Sequence, residues 1–115
     1  CDPQFNPDYV GDICNTKFKK DSWDLIVFSQ TLEHVYTPTT AIMECYRILR
    51  DKGFMIIDSP WMIQYHPEFN YDDYCRYSTS YLKRRCSDFG FKIIDVNQTN
   101  LLSSILVQKD ESEEK

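Results

Sequence analysis

Two short apolar runs, Leu25–Phe28 and Phe54–Ile57, bracket a helix-like stretch, and this arrangement constrains the fold more than any other feature of the chain. Each run is unbroken and contains β-branched or aromatic residues, so both read as strands buried on two faces. Between them, Thr37 followed by Pro38 offers a helix cap and a proline at the first helical position. Ile42, Cys45, Tyr46 and Leu49 then recur at the spacing that lines one helix face. Arg47 and Arg50 fall near the expected end, where cations suit the helix dipole, and Gly53 reads as the stop. A strand, a helix and a strand of this length form a right-handed crossover, which makes the two strands parallel. Ligands of such sheets sit beyond the carboxyl ends of the strands, which places Ser29–His34 and Asp58–Trp61 at one rim.

The remaining elements follow from similar signals. Tyr9 and Val10 lead into a short strand that runs towards Cys14. Lys17–Trp23 is a polar connection whose Phe18 and Trp23 pin it to the sheet edge. Asp24, at the start of its strand, lies at the far rim and reads as structural. Ser78 caps a helix with Tyr81, Leu82, Arg85, Cys86 and Phe89 on one side, and Gly90 ends it. Phe91–Val96 and Ser103–Gln108 are two further strands, joined by Asn97–Asn100.

At 115 residues the chain is long enough for one domain that buries about two-thirds of its unfolded surface. Its 42% hydrophobic and 15% aromatic content is that of a folded globular protein. The net charge is −5, and residues 110–115, with four acids and one lysine, supply −3 of it. The body is therefore near neutral, which argues against a nucleic-acid backbone as partner. No apolar run approaches the ~20 residues that span a bilayer, so no membrane partner is expected. The five cysteines form no CxxC pair and are odd in number, a pattern of reduced thiols in a cytoplasmic setting rather than of a disulfide frame or zinc site. Cys45 and Cys86 fall on apolar helix faces, where cysteine serves as a small hydrophobe.

The motifs at the rim carry a resemblance. Asp24-Leu25-Ile26-Val27, then Leu32-Glu33-His34-Val35, then Tyr46-Arg47 and Arg50-Asp51-Lys52-Gly53 resemble the second half of a class I S-adenosylmethionine-dependent methyltransferase of the methyltransferase type 11 kind. His66-Pro67, Tyr74-Cys75-Arg76-Tyr77-Ser78 and Gly90-Phe91 continue the likeness in order, from about Val10 to about Val96. The resemblance implies an α/β fold, a partial Rossmann-like sheet that is mostly parallel with an antiparallel last strand and helices on its faces. It implies residues 1–109 as a partial methyltransferase domain, with 110–115 as an acidic disordered tail. It implies S-adenosylmethionine as cofactor and a small-molecule methyl acceptor as partner.

On the cofactor side, the resemblance points to Asp2 near the ribose, to Asp12 and Ile13 by the adenine, and to Ser29 and Gln30 at the methionine portion. The plain alternative, that Asp2 and Asp12 are turn acids, stays open. His34 and His66 are the candidate bases, since neutral histidine accepts a proton near pH 7, and Glu33 is expected to face the substrate beside His34. The alternative for His34 is a structural role in a helical turn. Trp61–Tyr77 is rich in rings and carries Glu68, Asp72, Asp73 and Arg76, a composition that suits either an acceptor-binding loop or simple packing.

The departure from the family is glycine: the chain holds only Gly11, Gly53 and Gly90. The family's glycine-rich turn is expected to precede Cys1, which leaves the cofactor site in this chain incomplete. The second reading is therefore a non-catalytic half-domain that binds a protein partner or self-associates through an exposed sheet edge.

Overall fold

The computed structural model describes residues 11–29, 31–61 and 75–112. Strand β1 (Trp23–Ser29) is followed by a 3-10 turn (Leu32–His34), helix α1 (Pro38–Ile48) and strand β2 (Leu49–Pro60). Helix α2 (Thr79–Asp88), β3 (Phe91–Gln98) and β4 (Leu102–Lys109) complete the order. The four strands form one sheet in the order β1-β2-β4-β3. β1 and β2 are parallel, while β4 is antiparallel to both β2 and β3. The sheet is the mixed α/β one expected, with the last strand inserted against the direction of its neighbours.

The core lies between one sheet face and the helices. Phe28, Met55, Ile57, Ile105 and Val107 meet Ala41, Ile42 and Cys45 of α1 and Leu82 and Cys86 of α2, all buried. α1 opens on Pro38 after Thr37, as the sequence indicates, although the Thr37 side chain makes no cap hydrogen bond. Its hydroxyl lies 3.4 Å from Cys14 Sγ instead. α2 is capped as expected, with Ser78 Oγ accepting from the Tyr81 amide at 3.2 Å. Gly90 closes it at φ 98°, a conformation that favours glycine.

Four readings need correction. α1 ends at Ile48, and Leu49 is already extended at φ −76°, ψ 137°. Gly53 is thus not the helix stop. A Cβ on it would sit 2.8 Å from the Arg50 carbonyl oxygen and 2.9 Å from that of Asp24, so glycine is needed for the close approach of β2 to β1. The register jumps here from Trp23↔Leu49 to Leu25↔Phe54, and Lys52 takes φ 71° inside the irregularity. Second, residues 11–15 form a tight turn, with Asp12 bridged to Asn15, rather than a strand running to Cys14. Third, β1 and β2 are buried on one face only. Leu25, Val27 and Phe54 are exposed on the other, because α1 and α2 both pack on the opposite side. A shallow hollow beside them is lined by Ile56, Asp95, Val96 and Leu106. Fourth, Arg50 lies in β2 rather than at the helix end, and its guanidinium pairs with Asp24 at 2.7 Å. Asp24 thus meets Arg50 at the start of β1, with both side chains exposed.

The connection before β1 is held by side chains. Glu44 Oε2 accepts from Thr16 N at 2.9 Å and Thr16 Oγ1 at 2.6 Å. Arg47 donates to both Glu44 oxygens at 2.8 Å and to the Phe18 carbonyl at 2.8 Å. Phe18 meets Trp23, the first residue of β1, edge-on at 5.1 Å. The last strand is locked by a lysine. Lys109 Nζ, 1% exposed, donates to Asp21 Oδ1 at 2.7 Å, Tyr46 O at 2.8 Å and Leu49 O at 2.9 Å. Of residues 110–115, Asp110 is buried and accepts from Lys52 Nζ at 2.6 Å, and the Glu111 amide donates to Asp51 at 2.8 Å.

Candidate active site at the carboxyl rim

The parallel register sets Ser29 opposite Asp58, so the ends of β1 and β2 emerge side by side. The chain then turns at once. Thr31 Oγ1 donates to the Ser29 carbonyl at 3.1 Å, the His34 amide to Thr31 O at 3.0 Å and the Val35 amide to Leu32 O at 3.0 Å. Leu32 is fully buried and anchors this turn beneath the rim. Trp61, just past β2, donates its amide to Leu101 O at 2.8 Å, which ties the β2 exit to the turn before β4.

Glu33 is buried, its side chain 0% exposed, with the His34 imidazole 3.4 Å away through Nε2. His34 itself is 11% exposed and lies at the surface of the turn. Tyr77 is buried, stacked on Tyr81 at 5.2 Å, and Arg85 lies 5.4 Å over the Tyr81 ring. Burial above all, then the Cys75 thiol and smaller contributions that include Glu33, hold the Tyr77 phenol well above its usual range. In the sequence Tyr77 is one ring of the loop and part of the Tyr74–Ser78 motif, and no periodic signal marks it as part of the core.

Asp12 is exposed and accepts the Cys14 amide at 2.9 Å through Oδ1, an Asx turn in which Oδ2 makes no part of that bond. Ile13 and Cys14 pack on the core, and Cys14 reaches Thr37 at the start of α1. The turn thus sits beside the helix that leaves the rim. Ser29 is exposed at the end of β1. The structure therefore brings Ser29, Glu33 and His34 to one rim, with the Asp12–Ile13 turn packed against the start of α1. Asp2, Gln30 and His66 lie outside the described residues, as does most of the ring-rich loop. Among the described residues no group of three or more histidines, cysteines or acids is placed to hold a metal ion. Cys14, Cys45, Cys75 and Cys86 are free thiols, and burial pushes Cys45 and Cys86 up to about 12. No described helix is long and apolar enough to cross a membrane.

With this geometry in place, residues 3–57 match the family model described as a methyltransferase domain. The match takes in β1, α1 and most of β2, and it makes this part of the chain similar to methyltransferase domains of that family. Solved structures agree on the fold. A methyltransferase of Haloferax volcanii, in complex with the Trm112 methyltransferase activator, superposes with a TM-score of 0.76 at 14% identity, covering 93% of this chain and 62% of that one. An S-adenosylmethionine-dependent methyltransferase of Thermotoga maritima gives 0.72 at 19% identity, covering 87% and 62%. The 4+2 cyclase SpnF gives 0.73 at 12% identity, covering 89% and 55%. The methyltransferase-like chain thus spans little more than half to about three-fifths of the length of these structures. No curated protein matches its sequence.

Proposed function

We propose that this chain is the carboxyl-terminal portion, residues 1–109, of a domain that transfers a methyl group from S-adenosylmethionine to a small-molecule acceptor. The observation that carries the reading is the pairing of Ser29 with Asp58 at the exits of two parallel strands, inside a segment that matches the family model. The residues present fit the cofactor chemically. Asp12 is an exposed acid whose carboxylate accepts hydrogen bonds from hydroxyl or amino groups, and Ser29 is a small exposed group at the strand end that allows close approach. Asp2, Ile13 and Gln30 complete the proposed cofactor side, and the glycine-rich turn of the family is the part this chain does not supply. The bound cofactor contributes an electrophilic methyl group on sulfonium sulfur. His34, with His66 as second candidate, accepts the proton of an oxygen or nitrogen acceptor held in line. Reduced thiols accord with a cytoplasmic setting, and the near-neutral body with an acceptor that is not a nucleic acid.

A second reading keeps one observation on its side. The apolar sheet face at Leu25, Val27 and Phe54 and the edge of β1, which has a partner on one side only among the described residues, suit pairing with another polypeptide or a second copy. One experiment separates the two. S-adenosylhomocysteine is titrated calorimetrically into the purified chain and into the longest polypeptide that its gene encodes. Binding in the longer form supports the transferase, and binding in neither supports the partner module. In the binding-competent form Asp12→Ala is expected to weaken affinity about tenfold, the value of one hydrogen bond to a charged group. Unchanged affinity with an intact fold removes Asp12 from the site.

A further inference from the structure

The strand register lays out the sheet face that α1 and α2 leave uncovered. Leu25, Phe54, Gln108 and Lys92 form one row across β1, β2, β4 and β3. Val27, Ile56, Leu106 and Asp95 form the next, and Ser29, Asp58, Ser104 and Asn97 a third at the carboxyl rim. Leu25 is 53% exposed, Val27 56% and Phe54 39%, with Ile56 and Leu106 half-buried beside them. These side chains make one continuous apolar patch over β1, β2 and β4. Next to it a bulge between Ile93 and Asp95 interrupts the ladder of β3 on β4, and an open hollow of about 130 Å³ is lined by Ile56, Leu106, Ser104 and Asp95.

Dimensions and charge select an occupant. With strands ~4.8 Å apart the patch is ~10 Å across, and its rows with their side chains extend over roughly 14 Å, so one α-helix of about 10 Å diameter covers it in about three turns. By the same spacings the whole face amounts to ~400 Å², roughly half of the ~800 Å² that each partner of a stable complex buries, so two copies packed face to face fall short. The hollow takes one large apolar side chain. Asp58 and Asp95 flank it, and Lys92 is the only cation in the three rows, which favours a partner that brings positive charge. We propose that this face docks an amphipathic helix of another polypeptide, its apolar stripe on the patch, one large apolar side chain in the hollow, and a lysine or arginine beside Asp58 and Asp95. Such docking is independent of the chemistry at the rim and, of the occupants open to this face, excludes a second copy.

The test uses the full chain and a dye-labelled helical peptide of about four turns, built of leucine and lysine with the leucines on one face. Fluorescence anisotropy is expected to show saturable one-to-one binding. Leu25→Glu and Val27→Glu, whose side chains are exposed so that the fold tolerates the change, are each expected to weaken it about tenfold or more, since each sets a charge against the apolar stripe. Ser104→Leu, which fills the hollow without adding a charge, is expected to weaken it as well. A peptide with glutamate in place of lysine is expected to bind about tenfold more weakly, and sedimentation of the chain alone to show a monomer. Absent binding, binding that all three variants leave unchanged, or equal affinity for the glutamate peptide overturns the proposal. A dimer that Val27→Glu dissociates also overturns it, by placing a second copy on the face.

Discussion

Lys109→Met is expected to destabilise the fold by about 2–4 kcal/mol. Three acceptors surround Nζ within 2.9 Å, and two of them are the carbonyls of Tyr46, in the last turn of α1, and of Leu49, its C-cap. Methionine preserves the apolar stem but donates nothing. The Leu49 carbonyl, in a buried contact, then loses its donor at about 1–3 kcal/mol, and the partly buried Tyr46 carbonyl adds a smaller share. Removing the need to desolvate an ammonium offsets part of this, which keeps the expected loss below the sum of three charged hydrogen bonds. Asp21, with a side chain 39% exposed, recovers water and contributes least. Asp21→Asn is accordingly expected to cost well under half of what Lys109→Met costs. The pH dependence has a definite sign. Lys109 holds the Asp21 carboxyl below its usual range, so this pair's stabilisation is present above the unfolded value near 4 and is lost as pH falls through the lowered one. Urea unfolding at several pH values measures both effects. A Lys109→Met protein within 0.5 kcal/mol of wild type would refute the reasoning, showing that the carbonyls find other donors or that burial of the charge cancels its bonds.

Three further outcomes are expected. Gly53→Ala should cost about 1–3 kcal/mol in urea unfolding, because its Cβ meets two backbone oxygens at 2.8 and 2.9 Å that cannot swing aside, and a neutral substitution would show that the β1–β2 spacing is soft. Glu44, held down to about 2 first by Arg47 and then by Thr16, contributes stability that is full above the unfolded value near 4.5 and is lost as pH falls towards 2. Glu44→Gln should therefore flatten the acid limb of the urea midpoint in that window, and an unchanged limb would remove Glu44 from the titration. Thiol titration with an aromatic disulfide at pH 8 should modify Cys75 promptly and Cys45 and Cys86 only on unfolding, since the latter two are buried with thiols pushed up to about 12; prompt reaction of either would mean that the core opens.

The two parallel strands and both helices are legible in the sequence because each is written by a repeating pattern. Ser103, Ile105, Val107 and Lys109 share the inward face of β4, alternating with Leu102, Ser104, Leu106 and Gln108. The same pattern shows where reading stops. Lys109 continues the buried alternation, yet a lysine beside an acidic tail reads as the point where the strand gives out. Only the position of Asp21 and the end of α1, far away in sequence, makes it an interior residue. Gly53 misleads for a related reason. A glycine some residues after a helical pattern suggests a stop, but the constraint on it comes from the Asp24 carbonyl across the sheet. The exposure of Leu25 and Val27 defeats the reading of a doubly buried strand, because an apolar run records what a strand can be covered by and not what covers it in this chain.

The candidate site divides along the same line. The rim follows from local pattern, since parallel strands define their carboxyl ends once the crossover is recognised, and the Ser29↔Asp58 register shows β1 and β2 ending side by side. Its chemistry does not follow from location. The fold is shared with methyltransferases and with a cyclase, so the rim alone leaves the reaction open. Side-chain surroundings are the part that no spacing encodes: Glu33, one residue before His34, is 0% exposed, while His34 keeps 11%. Three residues in a 3-10 turn can present two polar groups to solvent or turn one of them inward, and the local sequence is the same in both cases. The turn's two backbone hydrogen bonds and the buried Leu32 fix the backbone, so it is packing against the rest of the domain that takes Glu33 out of solvent.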